Sequence, residues 1–356
     1  MIDPKAFLAE LLTITAQQGA SDLHLSPGYY PVIRVDRRLM PLTNKPILDR
    51  ETLEALAGLL MGPERKERFA KDRELDFSFS FEDKARFRVN AYYTKGNIAA
   101  VLRFVPDNIR TLEELKLPPI LNVFTKLSQG LVLVVGPNGH GKSTTLAAMI
   151  ERINQERAEK IVTIEDPIEA IYKSEKSIID QREVEQDTLS FYKALRGTFR
   201  QDNNVIVVGE MRDYETMSAA VTAAETGRLV FASLHTNSAP QTVERIIDSF
   251  PSEQQPQIRV QLANILSGVV SQRLVPRIQG GLAAAVEVMM GTVAVRSMIR
   301  ENKIKQLEQV IETGQDVGMI SLDRSLADLV RKQEVSIENA EFYASNPQNL
   351  HSMLRS

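Results

Sequence analysis

Leu131-Val-Leu-Val-Val135 runs straight into Gly136-Pro137-Asn138-Gly139-His140-Gly141-Lys142-Ser143, and residues 143–153 then read as a helix. The first five residues are wholly apolar and rich in β-branched side chains, the composition of a strand buried on both faces. The next eight fit the pattern GxxxxGK[ST]. Its glycines let backbone N–H groups turn inward around phosphates. Lys142 supplies a point charge to the β- and γ-phosphates, and the Ser143 hydroxyl is placed to ligate Mg²⁺. Strand, loop and helix agree, so residues 136–143, with Thr144 in the first turn of the helix, are expected to hold ATP. The alternative is a chance glycine-rich turn, which would not need all three parts in this order.

Outward from the loop, three further apolar runs end in chemistry. Val205-Ile-Val-Val-Gly209-Glu210 is a buried strand closing on a carboxylate. A phosphate loop needs a group that orients the attacking water, and Glu210 is the expected base. Ile161-Val-Thr-Ile-Glu165-Asp166-Pro167 also ends in acids. Ligands gather at strand carboxyl ends in open α/β sheets. Asp-Pro also favours turns, so Glu165 and Asp166 read equally as a helix cap or a turn. Phe231-Ala-Ser-Leu-His235-Thr236 carries a histidine past a third strand, positioned to sense the γ-phosphate. Of the other histidines, His24 reads as a satisfied turn residue and His351 as part of a polar tail. His140 sits at a variable loop position where only the backbone need matter.

Strands alternating with helices imply a parallel sheet covered on both faces. From Gly291 on, the chain looks wholly helical. Before the loop, residues 4–18 pattern as an amphipathic helix (Phe7 and Leu8, then Leu11 and Leu12), and residues 50–61 as a second. Short strand-like runs cover 22–25, 32–35, 75–81, 86–93 and 98–104. The alternation in Asp76-Phe-Ser-Phe-Ser-Phe81 marks a half-buried strand. The expected organisation is therefore a small α+β domain over 1–104, a linker over 105–117, an α/β ATPase domain over 118–290, and a helical region over 291–356. Pro106-Asp-Asn108 and Pro118-Pro119 bracket the linker.

Composition narrows the class. Hydrophobic residues make up 43% and charged residues 25% of 356, as in ordinary globular chains. A formal net charge of -3 offers no global field for nucleic acid or an anionic membrane. The sequence contains no cysteine, so disulfides and thiolate metal sites are excluded, and a reducing cytoplasm fits. Residues 1–20 show no signal peptide, and no run approaches the ~18 apolar residues of a membrane span. Work at a membrane would be peripheral.

The phosphate loop, Ile161–Glu169, Val205–Asp213 and Ala224–Ala239, in this order, resemble the Walker A loop, Asp box, Walker B strand and His box of the type II/IV secretion ATPase superfamily. Ala20-Ser-Asp-Leu-His-Leu25 and Arg86-Phe-Arg-Val-Asn-Ala91 look like that family's PAS-like N-terminal domain. Ala294-Val-Arg-Ser-Met-Ile-Arg-Glu301 is similar to the AIRNLIRE motif of the PilT family of pilus retraction ATPases. The resemblance implies a RecA-like P-loop core behind the PAS-like domain, and a homohexameric ring. It implies ATP hydrolysis with Mg²⁺ that powers type IV pilus retraction and twitching motility. An inner-membrane platform protein is the implied partner, with a paralogous retraction ATPase beside it. The chain would work in the cytoplasm at the inner face of the cytoplasmic membrane, with the hinge at residues 106–110. Arg88 and Arg103 match the family's arginine fingers, which reach a neighbouring subunit's nucleotide. They also read as surface strand arginines. Arg196 and Arg200 match a conserved basic stretch that binds phosphate or bridges subunits.

Three departures stand out. The His box usually begins ETGH, and here it is Glu225-Thr-Gly-Arg228, so the role of that His is open or passes to Arg228. Walker A has Asn138 and His140 where Thr and Ser are common, both outside the fixed positions of the loop. The usual Asp-Pro-Asp before Walker B is Asp202-Asn203-Asn204. Alternative readings are an accessory retraction ATPase of the PilU type, a pilus assembly or secretion ATPase, a nucleic-acid motor on the same core, or a non-hydrolysing ring subunit. Intact Lys142 and Glu210 speak against the last. The absence of a basic, aromatic-interleaved stripe speaks against the nucleic-acid motor.

Overall fold

The computed structural model describes residues 3–35, 38–81, 85–105 and 109–355. It divides into two compact units, Met1–Asn108 with Glu169–Ile171, and Ile109–Ile168 with Tyr172–Ser356. The expected hinge at residues 106–110 lies, at 106–108, outside the described residues.

In the first unit, helix α1 (Pro4–Gln17) starts at Asp3, whose carboxylate accepts the Lys5 N–H at 3.1 Å. Its apolar stripe of Phe7, Leu8, Leu11 and Leu12 is buried. Strands β1 (Asp22–Leu25), β2 (Val32–Val35) and β3 (Arg38–Pro41) follow, then helix α2 (Arg50–Asp72) and strands β4 (Glu74–Phe81), β5 (Ala85–Thr94) and β6 (Asn97–Val105). The strands form one antiparallel sheet in the order β3-β2-β1-β6-β5-β4. Leu23, Ile33, Leu56, Phe87 and Leu102 lie in its core. Helix α2 outruns the expected end at Met61. Gly62 breaks it at φ +67°, and Pro63, preset for a first helical turn, restarts it. One cross-strand row carries Arg34, Asp22, Arg103, Arg88 and Ser78 as successive register partners.

The second unit opens with a short helix α3 (Asn122–Thr125) and is built on β7 (Gly130–Val135), α4 (Lys142–Glu156), β8 (Lys160–Glu165), β9 (Ile178–Glu183), α5 (Phe191–Thr198), β10 (Val205–Val208), α6 (Tyr214–Glu225), β11 (Leu229–Leu234), α7 (Ala239–Asp248), α8 (Gln255–Ile265), β12 (Leu266–Pro276) and β13 (Leu282–Met290). Its seven-stranded sheet has the order β13-β12-β7-β11-β10-β8-β9. All pairings are parallel except β12 with β13. Every residue of β7, β10 and β11 is buried, as the apolar runs require. One face packs against a core that includes Met217, Ala220, Ile258, Leu262 and Val295. The other packs against Phe124, Leu146, Met149, Ile150 and Ile153. The helices α9 (Val293–Arg300), α10 (Leu307–Thr313), α11 (Leu322–Arg331), α12 (Ile337–Tyr343) and α13 (Pro347–Arg355) complete the chain. A further core joins Leu322, Leu326, Ala340 and Leu350 to Val275 and Ala283, on the β12–β13 hairpin.

The expected parallel sheet is present, and β9, β12 and β13 extend it. Leu282-Ala-Ala-Ala-Val-Glu-Val is alanine-rich and carries little β-propensity of its own, so packing decides it. Because the central strands are parallel, the loops after β7, β8, β10 and β11 all open on one edge, where the four motifs meet.

Candidate active site

The phosphate loop starts where β7 ends. Gly136 takes φ +146°, Gly139 φ +75° and Gly141 φ +80°. Two of these glycines lie close against residue 272. A Cβ on Gly136 would lie 2.4 Å from the Gln272 carbonyl oxygen, and one on Gly141 would lie 2.8 Å from Gln272 Nε2. Gly141 is the N-cap of α4 and offers no side chain to its first N–H groups. The positive end of the helix therefore faces the loop with donors available to an anion. Ser143 and Thr144 are exposed on the first turn, while Lys142 is buried. Its Nζ donates to the carbonyls of Gly136 (2.9 Å) and Pro137 (3.0 Å), and lies 3.2 Å from His235 Nδ1.

Glu210 follows β10 through Gly209. The Gly209 N–H donates to the Ile164 carbonyl at 2.8 Å, and a Cβ at 209 would meet that oxygen at 3.1 Å. A side chain at 209 would crowd β8, so glycine eases the close approach of the two strand ends. From there Glu210 Oε1 reaches His235 Nε2 at 2.8 Å and Oε2 reaches Arg212 Nη2 at 2.7 Å. Burial raises the Glu210 pKa and is the largest single influence. The Arg212 hydrogen bond and the positive charge of Arg212 and Lys142 together oppose it, and the carboxyl sits below its ordinary value. Its base form is therefore the resident one. With His235 Nε2 donating to Glu210, its Nδ1 accepts from Lys142. The four side chains Lys142, His235, Glu210 and Arg212 form one connected line across three strand ends. A cavity of about 420 Å³ opens beside it, lined by Glu210, Arg212, His235, Gln241, Glu244 and Arg245, and gives water a route to the carboxylate.

Glu165 ends β8. Its Oε1 accepts from Thr163 Oγ1 (2.6 Å) and Gln181 Nε2 (3.3 Å). No helix starts at Glu165 or Asp166, which removes the helix-cap reading. The Asp166–Pro167 peptide is cis.

Arg88 and Arg103 belong to the first unit, side by side in the cross-strand row. Arg103 Nε lies 3.0 Å from Oδ1 of the buried Asp22, and Arg34 Nε lies 3.7 Å from Oδ2. The Arg103 side chain is 67% exposed, so its ion pair with Asp22 leaves most of the guanidinium in solvent.

Three sequence readings change. His24 lies on β1 rather than in a turn, and its buried Nε2 has no hydrogen-bond partner. Arg228 does not take over a site role. It lies just before β11, at the sheet edge opposite the phosphate loop, donating to Asn203 Oδ1 (3.1 Å) and Thr226 Oγ1 (2.7 Å) over the Phe199 ring. Two of the departures from the family pattern, at 228 and 203, are thus partners. Arg196, in the last turn of α5 and over the Tyr192 ring, lies toward that same far edge, and Arg200 is in the turn that follows. Neither is at the phosphate loop. The sequence reading missed Arg212 and Gln272. Arg212 stands two residues after Glu210 in extended chain, a spacing that places both side chains on one side. Gln272 carries no motif at all.

The profile of the family described as "Type II/IV secretion system protein" matches residues 5–351. The type IV pilus retraction ATPase PilT of Pseudomonas aeruginosa is 46% identical over 342 residues, 96% of this chain and 99% of that one. The type IV pilus ATPase PilU of the same organism is 40% identical, covering 97% and 91%. A crystal structure of the pilus retraction motor PilT with bound ADP superposes with a TM-score of 0.91 at 41% identity, over 97% of this chain and 98% of that one. Alike along nearly its whole length in sequence and in fold, the chain belongs to the PilT family of the type II/IV secretion ATPases.

Proposed function

We propose that this chain is the motor subunit of type IV pilus retraction, hydrolysing ATP as a homohexamer at the cytoplasmic face of the inner membrane. The observation that carries the reading is the unbroken line Lys142–His235–Glu210–Arg212 at the mouth of the phosphate loop. Lys142 and the N–H groups of residues 136–144 hold the phosphates. Ser143, exposed on the first turn of α4, is the protein ligand for Mg²⁺. When bound, that ion would neutralise charge on the phosphate oxygens, and a single hydroxyl from the protein fits the way Mg²⁺ is held beside phosphates. Glu210, held ionised, orients the attacking water. His235 ties that base to the loop lysine, so a change at the phosphates is felt at the base. Glu165, at the neighbouring strand end, responds to the γ-phosphate.

Arg88 and Arg103 act on the nucleotide of an adjoining subunit, where a guanidinium stabilises charge on the transferred group. Hydrolysis then changes the angle between the two units, and the motion is passed to a membrane platform protein. No helix among the described residues is long and apolar enough to cross a membrane. The identity of 46% to PilT against 40% to PilU favours the principal over the accessory motor.

Two experiments test the reading. Glu210→Gln is expected to bind nucleotide and to lose phosphate release, and wild-type turnover from it would sink the assignment of the base. Deleting the gene is expected to leave cells piliated and unable to retract. Loss of all pili would make the chain an assembly ATPase instead.

A further inference from the structure

Strand β12 does more than fill the sheet. It pairs with β7 as far as Ser271↔Val135, the point where β7 turns off into the phosphate loop, and then runs on to Pro276. The continuation passes behind the loop. Gln272, 3% exposed, uses its whole amide there. Its Nε2 donates to the His140 carbonyl at 2.9 Å, and its Oε1 accepts from Thr145 Oγ1 at 2.7 Å. Two residues on, the Leu274 N–H donates to His140 Nδ1 at 2.9 Å. His140 is thus held by main chain and side chain together. Burial, with the charges of Arg273 and Lys142, keeps the imidazole below its ordinary pKa, so Nδ1 retains the lone pair that accepts. The Tyr343 ring stands edge-on to it, centroids 6.5 Å apart.

The crowding is as specific as the bonding. Gly136 and Gly141, at the two ends of the loop, both lie close to residue 272: a Cβ on Gly136 would meet its carbonyl oxygen at 2.4 Å, and one on Gly141 its Nε2 at 2.8 Å. The loop therefore packs against both the backbone and the side chain of this position. A buried amide must find partners somewhere, but its partners here are the loop backbone and the first turn of α4, the two parts whose N–H groups must converge on phosphate.

We propose that Gln272 and His140 are a positioning pair that latches the phosphate loop to strand β12 in its phosphate-ready shape. The proposal rests on the nucleotide reading of residues 136–144. A loop without the latch still carries Lys142 and Ser143, but its N–H groups no longer converge before the ligand arrives. That cost falls on binding and on the transition state alike, so it raises KM more than it lowers kcat.

The test uses the full-length protein, a fluorescent ADP analogue and steady-state phosphate release. Gln272→Met keeps volume and removes both hydrogen bonds, and is expected to weaken analogue binding roughly tenfold and raise KM to match. His140→Ala is expected to do the same to a lesser degree. His140→Asn is expected to recover most of it, because Asn Oδ1 takes the place of Nδ1, whereas His140→Gln is not. Melting curves identify folded variants, and the His140 series answers even where Gln272→Met fails to fold. Folded variants that bind within twofold of wild type, or a His140→Asn no better than His140→Ala, would overturn the latch. If the wild type itself does not bind the analogue, or Lys142→Ala binds it equally well, the nucleotide reading falls and not the latch alone.

Discussion

His235 Nε2 lies 2.8 Å from Glu210 Oε1, and Nδ1 of the same ring lies 3.2 Å from Lys142 Nζ. One imidazole therefore joins the Glu210 carboxylate to the lysine of the phosphate loop. Removing the ring leaves both charges in place but unlinked. His235→Ala is expected to lower kcat by about 10²-fold, the usual scale of a positioned proton-transfer network, while nucleotide affinity changes far less. Phosphate release at saturating ATP, set beside an analogue titration, separates the two. A matched loss of both would mean that His235 only shapes the pocket.

Arg212 sets the state of the base. Its hydrogen bond is the largest influence holding the Glu210 carboxyl down, against burial, which pushes it up. Arg212→Ala leaves burial unopposed by that bond, so the Glu210 pKa rises. A general base works only when ionised, and the acid limb of the pH–rate profile is expected to move to higher pH. Arg212→Lys keeps the charge but loses the planar fork, so its limb should fall between the two. An unmoved acid limb in Arg212→Ala would remove Arg212 from control of the base.

Glu287 gives a stability prediction away from the chemistry. Its buried side chain accepts the Ala239 N–H at the first turn of α7, 2.6 Å away, just past the His235 segment. Burial raises its pKa from 4.5 to about 7, with Glu308 and Asp323 adding to the rise and the Ala239 N–H and Arg273 opposing it. The folded state thus holds the proton more tightly than the unfolded chain. Its stabilising effect is complete below pH 4.5 and is lost as pH rises through about 7. The amount is about 3 kcal/mol. Glu287→Gln keeps the acceptor for Ala239 and removes the charge. It is expected to exceed wild type in stability at pH 8 and to converge on it toward pH 5, by denaturant melts. A gap equal at both pH values would show that Glu287 does not titrate in this range.

The fold was readable wherever a strand is buried on both faces or an apolar stripe repeats. The runs beginning at Leu131, Val205 and Leu229 need no partner to be recognised, because no solvent-exposed segment is so uniformly apolar. Strands β12 and β13 escaped because Ser267, Gly268, Gln272 and the alanines 283–285 have little intrinsic preference, and only pairing with β7 and the C-terminal helices fixes them. The same division holds at the site. Lys142, Glu210 and His235 sit in local patterns with chemical logic. Gln272 acts on a loop more than 130 residues earlier, a relation that no local pattern encodes. Arg228 was misleading for the converse reason. It occupies a motif position, yet its neighbours in space are Asn203 and Phe199, and they give it packing work.

That pairing makes its own prediction. The Arg228 guanidinium bridges Asn203, Thr226 and the Phe199 ring at the edge opposite the phosphate loop. Arg228→Ala is expected to destabilise the protein by about 1–2 kcal/mol, the scale of a lost charged hydrogen bond with its stacking. Turnover per folded molecule should stay unchanged. In an Asn203→Ala background the same substitution should cost about 1 kcal/mol less. Full additivity would deny the coupling, and a fall in turnover at constant stability would return Arg228 to the site.

In the proposed hexamer, Arg103 tests whether catalysis crosses subunits. Its guanidinium is anchored at one edge by Asp22 Oδ1 at 3.0 Å and is otherwise exposed. An anchored, solvent-facing arginine is poised to be offered to something outside its own unit. If that something is a neighbour's nucleotide, an Arg103→Ala subunit keeps a sound phosphate site and disables the one next to it. A Glu210→Gln subunit does the reverse, since its own site is dead but its Arg103 is intact. Each variant alone should be inactive. Mixed rings should regain turnover wherever an Arg103→Ala subunit's sound site meets the arginine of a Glu210→Gln neighbour. Asp22→Asn, which frees the guanidinium without removing it, should lower turnover less than Arg103→Ala. Two variants that stay inactive at every mixing ratio, in rings shown to exchange subunits, would place Arg103 in the architecture of its own sheet and leave the charge on the transferred phosphoryl group to residues of the same chain.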